Sequence, residues 1–200
     1  RRRFVGALAG AAAITAVPAP ARPRSGASAE EATPKAPAAS PSTPRAQRSG
    51  PRPLYLGTYT SGEGAGKGIG LATYDAESGA VTGGGVVTGV VNPSFLAVHP
   101  DGHTLYAVDE QDAGAVTAVR LPGHEVLGSR PTGGAGPCHL SVHPGGRWLL
   151  SANYTSGSVA VHPLDASGAI GERTDLVTHS SPAPGPGQQG PHAHQFAATP

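Results

Sequence analysis

GPCHLSVHPGGRWLLSANYTSGSVAVHPL, residues 136–164, is the stretch whose reading decides the fold. Three short apolar runs, HLSV, RWLLSA and SVAVHPL, are separated by HPGG and NYTSG. Each run alternates or is rich in β-formers, and each break carries Gly, Pro, Asn or Ser. That is the pattern of strand, turn, strand, turn, strand. The same pattern stands 44 residues upstream in NPSFLAVHPDGHTLYAVDEQDAGAVTAVRL, residues 92–121. Pro93 matches Pro137, Val98 matches Val142, His99 matches His143, Pro100 matches Pro144, Gly102 matches Gly146 and Leu105 matches Leu149.

A repeat of ~40–45 residues built of short strands is the mark of a β-propeller blade. Outward from it, TYTSG at 58–62 echoes NYTSG at 153–157, and YDAESGAV at 74–81 echoes LDASGAI at 164–170. Strands are therefore expected at 54–59, 68–75 and 81–91, as the later part of a blade entered at its second strand. The Gly-rich run GEGAGKG at 62–68 lacks the spacing and the Lys-Ser/Thr ending of a phosphate loop and reads as a hairpin turn. A further repeat opens at Gly190 with GPHAHQFAATP, delayed by the inserted loop Ser180 to Gly190. Inserted loops in repeat proteins collect on one face, often the ligand-binding one. Past residue 53 the hydrophobic period is two rather than 3.6, so no helix is expected there. The fold class is all-β, a propeller of which this chain supplies about three blades. Such rings close with ~4–8 blades, so the chain is expected to be a piece of a longer protein.

The formal net charge is +1, and the clustered arginines are confined to the N-terminal stretch, so no nucleic-acid partner is expected. A single cysteine, Cys138, excludes an internal disulfide framework and reads as a small buried hydrophobe. Residues 1–21, RRRFVGALAGAAAITAVPAPA, have a positive start, a mildly apolar centre and a small-residue end, the three zones of a signal peptide. Arg1, Arg2 and Phe4 fit the twin-arginine pattern, which implies the twin-arginine export machinery as a partner and an extracytoplasmic or secreted protein. The apolar run is shorter than the ~20 residues that span a bilayer. Residues 22–53, rich in Pro, Ala, Ser and Arg, read as a disordered linker, leaving 54–200 as the folded part.

Nine histidines are present, and position separates them. His99 and His143 recur in the HP turns and read as structural. His139 stands at the start of a blade's first strand, where the preceding repeat has Phe95. His192 and His194 share one face of a strand at i, i+2. Imidazoles so placed suit acid–base work or a metal. Asn153 and Tyr154 end the second strand of the same blade, where Asp109 and Glu110 stand one repeat earlier; those two acids read as rim charges.

LYLGTYTSG, NPSFLAVHPDGHTLYAV, GAGPCHLSVHPGGRWLLSANYTSGSVAV and QGPHAHQFAATP together resemble the lactonase family of seven-bladed propellers, which includes propeller-type 6-phosphogluconolactonases. The resemblance runs from Leu54 to Pro200. It implies hydrolysis of a sugar lactone, a carboxylic ester hydrolase activity, in the central channel of a monomer. His139, His192 and His194 are then the catalytic candidates and Asn153 and Tyr154 the substrate-binding ones, with no metal and no cofactor. The second reading is a non-catalytic envelope propeller that binds carbohydrate or protein. No GxSxG elbow is present, which favours direct attack by water over an acyl-enzyme. No pair of arginines suited to a phosphate stands out, Arg130 and Arg147 being nearest to the right region.

Overall fold

The computed structural model describes residues 50–180 and 185–198, so the expected signal segment and most of the expected linker lie outside the described residues. Eleven strands form three separate antiparallel sheets, and no helix occurs among the described residues. The first sheet has three strands, β1 (Pro51–Leu56), β2 (Ile69–Asp75) and β3 (Val81–Val87). The second has β4 (Leu96–Val98), β5 (Thr104–Asp109), β6 (Ala115–Arg120) and β7 (Val126–Pro131). The third has β8 (Pro137–Val142), β9 (Trp148–Asn153), β10 (Ser158–Pro163) and β11 (Asp175–Thr178). Each sheet is a meander with its strands in chain order. The three-stranded first sheet agrees with a blade entered at its second strand.

The first strand begins three residues earlier than the sequence suggests, because Pro51–Pro53 pair with Asp75–Thr73. Two prolines fit there because β1 lies at the edge of its sheet among the described residues. At the other end the third strand stops at Val87, short of the expected 91.

The repeated turns are the same object each time. In HPDG and HPGG, the N–H of Gly102 donates to His99 O (2.9 Å) and that of Gly146 to His143 O (2.8 Å). Both glycines have φ near +70 to +79°, which a residue with a Cβ adopts only with strain. His99 Nε2 also donates to Gly146 O (2.8 Å), tying one blade's turn to the next. In the DAESG and DASG turns, Asp75 Oδ1 accepts from the N–H groups of Glu77 and Ser78, and Asp165 Oδ1 from those of Ser167 and Ala169. The Ser78 N–H at Asp75, and at Asp165 the Ser167 hydroxyl (2.7 Å) followed by these N–H groups, hold both carboxyls below the usual range.

The core lies between the sheets. Ile69, Val87 and Val90 of the first meet Leu105, Ala107 and Val119 of the second. Tyr106, Val108, Val116 and Ala118 of the second meet Leu140, Leu149, Leu164 and Ile170 of the third. Strand β5 is thus buried on both faces over all six residues, which is why TLYAVD is an apolar run rather than an alternation. Tyr106 spans the second gap: its hydroxyl donates to Gly168 O (2.9 Å), and burial pushes its pKa up to about 12.

Candidate functional site

A cleft of about 380 Å3 is lined by Tyr59, Ser94, Glu110, Cys138, Tyr154 and His194. These are two repeat positions, each taken three times. Ser94 and Cys138, 44 residues apart, stand before and at the start of the first strands β4 and β8, and His194 lies 56 residues further on in the next repeat. Tyr59, Glu110 and Tyr154 stand just past the ends of the second strands β1, β5 and β9. The rim is therefore drawn from the segments that the repeat brings to one end of three neighbouring sheets.

Glu110 is the best-connected of the six. Its Oε2 accepts from Tyr59 Oη (3.0 Å) and from Ser94 Oγ. Its backbone is held by Asn92, whose Nδ2 donates to Glu110 O (3.1 Å) and whose Oδ1 accepts from Thr60 N–H (2.8 Å). Asn92 adopts a left-handed backbone (φ 44°), a conformation Asn tolerates. The carboxylate has chemical consequences. The hydrogen bond to Glu110, then burial, raises the Tyr59 pKa. Burial, and after it the Glu110 charge, push the Cys138 thiol up, so it stays protonated and weakly nucleophilic.

His194 reaches the cleft on a segment, 191–198, that runs beside β8 with no strand pairing of its own. Side chains of β8 fasten it. Ser141 Oγ donates to Phe196 O (2.7 Å), Phe196 N–H donates to His139 Nδ1 (3.4 Å), and the Cys138 thiol lies 3.8 Å from Ala193 O and 3.7 Å from His194 O. A register shift between Pro137 and His139 marks a bulge at Cys138, a device that re-aims side chains next to sites.

The candidates named from sequence separate on this geometry. His194 and Tyr154 line the cleft together, their rings 5.7 Å apart and edge-on. His192 does not line it. Its ring stacks on Tyr154 (4.3 Å between centroids, 11° between planes), and its Nδ1 donates to Tyr154 O (2.9 Å). His139 packs against Phe95, the residue it replaces one repeat earlier, with centroids 4.5 Å apart. Burial, and then the neighbouring His194, lower its pKa, so it is neutral at pH 7 and free to accept the Phe196 N–H. Asn153 departs from its expected role. It is wholly buried and its amide donates to Ser158 Oγ (3.0 Å), because consecutive strand residues face opposite ways and Tyr154 takes the open side. Glu110, read as a rim charge, stands on the rim of the cleft, and Cys138, read as a small buried hydrophobe, lines it as well. Among the described residues no group of three or more metal-ligating side chains converges.

Asp109, also expected at the rim, is buried like Asn153 at the equivalent position. It accepts from Thr117 Oγ1 (2.9 and 3.1 Å) and Ser129 Oγ (3.3 Å), with burial raising its pKa. The folded chain then holds this proton more tightly than the unfolded one. Stability from this group is fullest below the ordinary value of 3.8 and declines as pH rises from there to the folded value. Asp109→Asn keeps an acceptor for Thr117 and removes the buried charge. We expect it to raise unfolding stability at pH 7 by about 1 kcal/mol and to flatten that pH slope, read by denaturant titration at several pH values. Lower stability of the variant at pH 7 would refute the burial cost.

A family model described as "Lactonase, 7-bladed beta-propeller" matches residues 53–200. The 6-phosphogluconolactonase of Bacillus subtilis (strain 168) is 30% identical over 151 residues, which cover 73% of this chain and 43% of that protein. The periplasmic gluconolactonase of Pseudomonas aeruginosa matches in structure with a TM-score of 0.61 at 30% identity, over 67% of this chain and 40% of that one. A protein from Lactobacillus plantarum gives a TM-score of 0.66 at 31% identity, over 75% of this chain and 44% of that one. The chain spans about two fifths of the length of the relatives it matches. With its strand meanders packed face to face and this match over most of its length, the chain belongs to the lactonase family of seven-bladed β-propellers.

Proposed function

We propose that the cleft hydrolyses a sugar lactone, as part of a site at the propeller's central channel. The observation that carries this is the gathering of His194, Tyr154, Tyr59 and Glu110 around one open cleft in a chain of this family. In this reading His194 takes a proton from water as its oxygen attacks the lactone carbonyl carbon. The ring C–O bond then breaks, and the proton returns to the departing ring oxygen as it becomes a hydroxyl. The product acid ionises and releases one proton. Hydroxyl donors on the rim would stabilise the developing oxyanion, a contribution of about 3 kcal/mol for a well-placed donor. His139 and His192 serve as positioning residues, the first for the 193–196 backbone and the second for the Tyr154 ring.

The test is acid release from gluconolactones by the intact protein, titrated at constant pH against the uncatalysed rate. Turnover supports the hydrolase. Its absence with every lactone tried, alongside saturable carbohydrate binding, would favour the non-catalytic propeller instead.

We also propose that Arg1, Arg2 and Phe4 direct export through the twin-arginine route, as the order of charges and apolar residues in 1–21 suggests. Replacing Arg1 and Arg2 by lysine, which keeps the charge, is expected to hold the protein in the cytoplasm. Unchanged export, measured by cell fractionation, would exclude this route.

A further inference from the structure

We infer that the cleft selects a lactone without a phosphate group, and that Glu110 makes the selection. This rests on the hydrolase reading above and concerns which lactone that site accepts. Glu110 is the one carboxylate among the six lining residues, and no lysine or arginine is among them. It is held on several sides, by Tyr59 and Ser94 at the carboxylate and by Asn92 at the backbone, so it cannot simply swing away from an incoming anion. Both hydrogen bonds fall on Oε2, which leaves Oε1 to accept from a ligand.

A fixed carboxylate accepts well from the hydroxyls of a polyol and repels a phosphate dianion. The rest of the rim agrees with a neutral saccharide. Tyr154 is fixed by its stack with His192 and offers a steady aromatic wall for the C–H face of a sugar ring. Three of the arginines are engaged elsewhere. Arg130, on β7, pairs with Glu172 (3.1 Å), Arg120 is near Glu125 (3.6 Å), and Arg173 donates to Thr132 O (2.9 Å).

The experiment compares kcat/KM for gluconolactone and 6-phosphogluconolactone in the intact protein, at low and high salt, and repeats the comparison in Glu110→Gln. The neutral lactone is expected to be preferred about tenfold or more, since like charges meet within a few ångströms in the phosphorylated case. Added salt screens repulsion, so kcat/KM for the phosphorylated lactone should rise with salt while that for the neutral one stays flat. Glu110→Gln should narrow the preference about tenfold. Preference for the phosphorylated lactone, or a rate on it that falls with salt, would overturn the inference and leave the hydrolase reading standing. So would a preference that Glu110→Gln does not move. The salt series uses the unaltered protein, so it decides the matter even where the variant folds poorly. Turnover of neither lactone would overturn both readings together.

Discussion

His194→Ala is expected to lower kcat for lactone hydrolysis by about 100- to 10,000-fold while leaving the fold intact, the range a positioned general base supplies. The residue is exposed at the cleft, and its side chain takes no part in the packing between sheets. The loss should therefore appear in kcat at unchanged unfolding midpoint. His139→Ala should cost less, because it removes the ring packed on Phe95 and frees the Phe196 N–H, which loosens the segment that presents His194 without removing the base. His139→Asn, with an oxygen near the place of Nδ1, should recover part of that loss. A merely structural defect would lower stability in step with activity and would show no such recovery. His192→Ala should have the smallest effect on kcat and should act through the Tyr154 wall, raising KM. Equal losses in all three variants would mean that the histidines act as a single catalytic unit. A silent His194→Ala would remove the proposed base.

Tyr106→Ala should destabilise the chain by about 3–5 kcal/mol, the range for deleting a buried aromatic ring. Tyr106 is completely buried and packs with Val108, Leu140, Leu149 and Ile170 between the second and third sheets. Tyr106→Phe keeps the ring and loses only the bond to Gly168 O, so it should cost about 1 kcal/mol. A shift in denaturant midpoint at constant slope reads both values. If alanine cost no more than phenylalanine, the gap between these sheets would not be what holds them together. The tyrosine hydroxyl, with a pKa near 12, stays protonated across the working pH range, so neither effect should vary between pH 6 and pH 9.

The repeat made most of the architecture legible. An offset of 44 residues aligned the HP turns and the apolar second strands, the echo of YDAESGAV in LDASGAI aligned the paired aspartate turns, and each alignment is one physical object in the structure. Strand parity carried further than it was pressed. If Tyr154 faces the opening, Asn153 must face the sheets, and the same holds for Glu110 and Asp109. Sequence alone did not say which member of each pair was outside. Glu110 could not be ranked because its partners lie 51 and 16 residues away: Tyr59 meets it only when the first two sheets pack, and Ser94 only when β4 pairs with β5. His139 broke the repeat rule for a reason spacing does not reveal: it secures a neighbouring stretch of backbone. The bulge at Cys138 has no residue signature of its own, and the last repeat has two anchors, Pro191 lying 54 residues after Pro137 and Pro200 56 after Pro144, so spacing did not decide which histidine falls in the column of Ser94 and Cys138.

That arrangement has an evolutionary corollary. Because the opening is furnished by residues at the open ends of hairpins, each can be exchanged by one codon change without disturbing the layers beneath. New specificities can then arise by swapping fittings at six interchangeable sockets, while the masonry of the ring stays as it is.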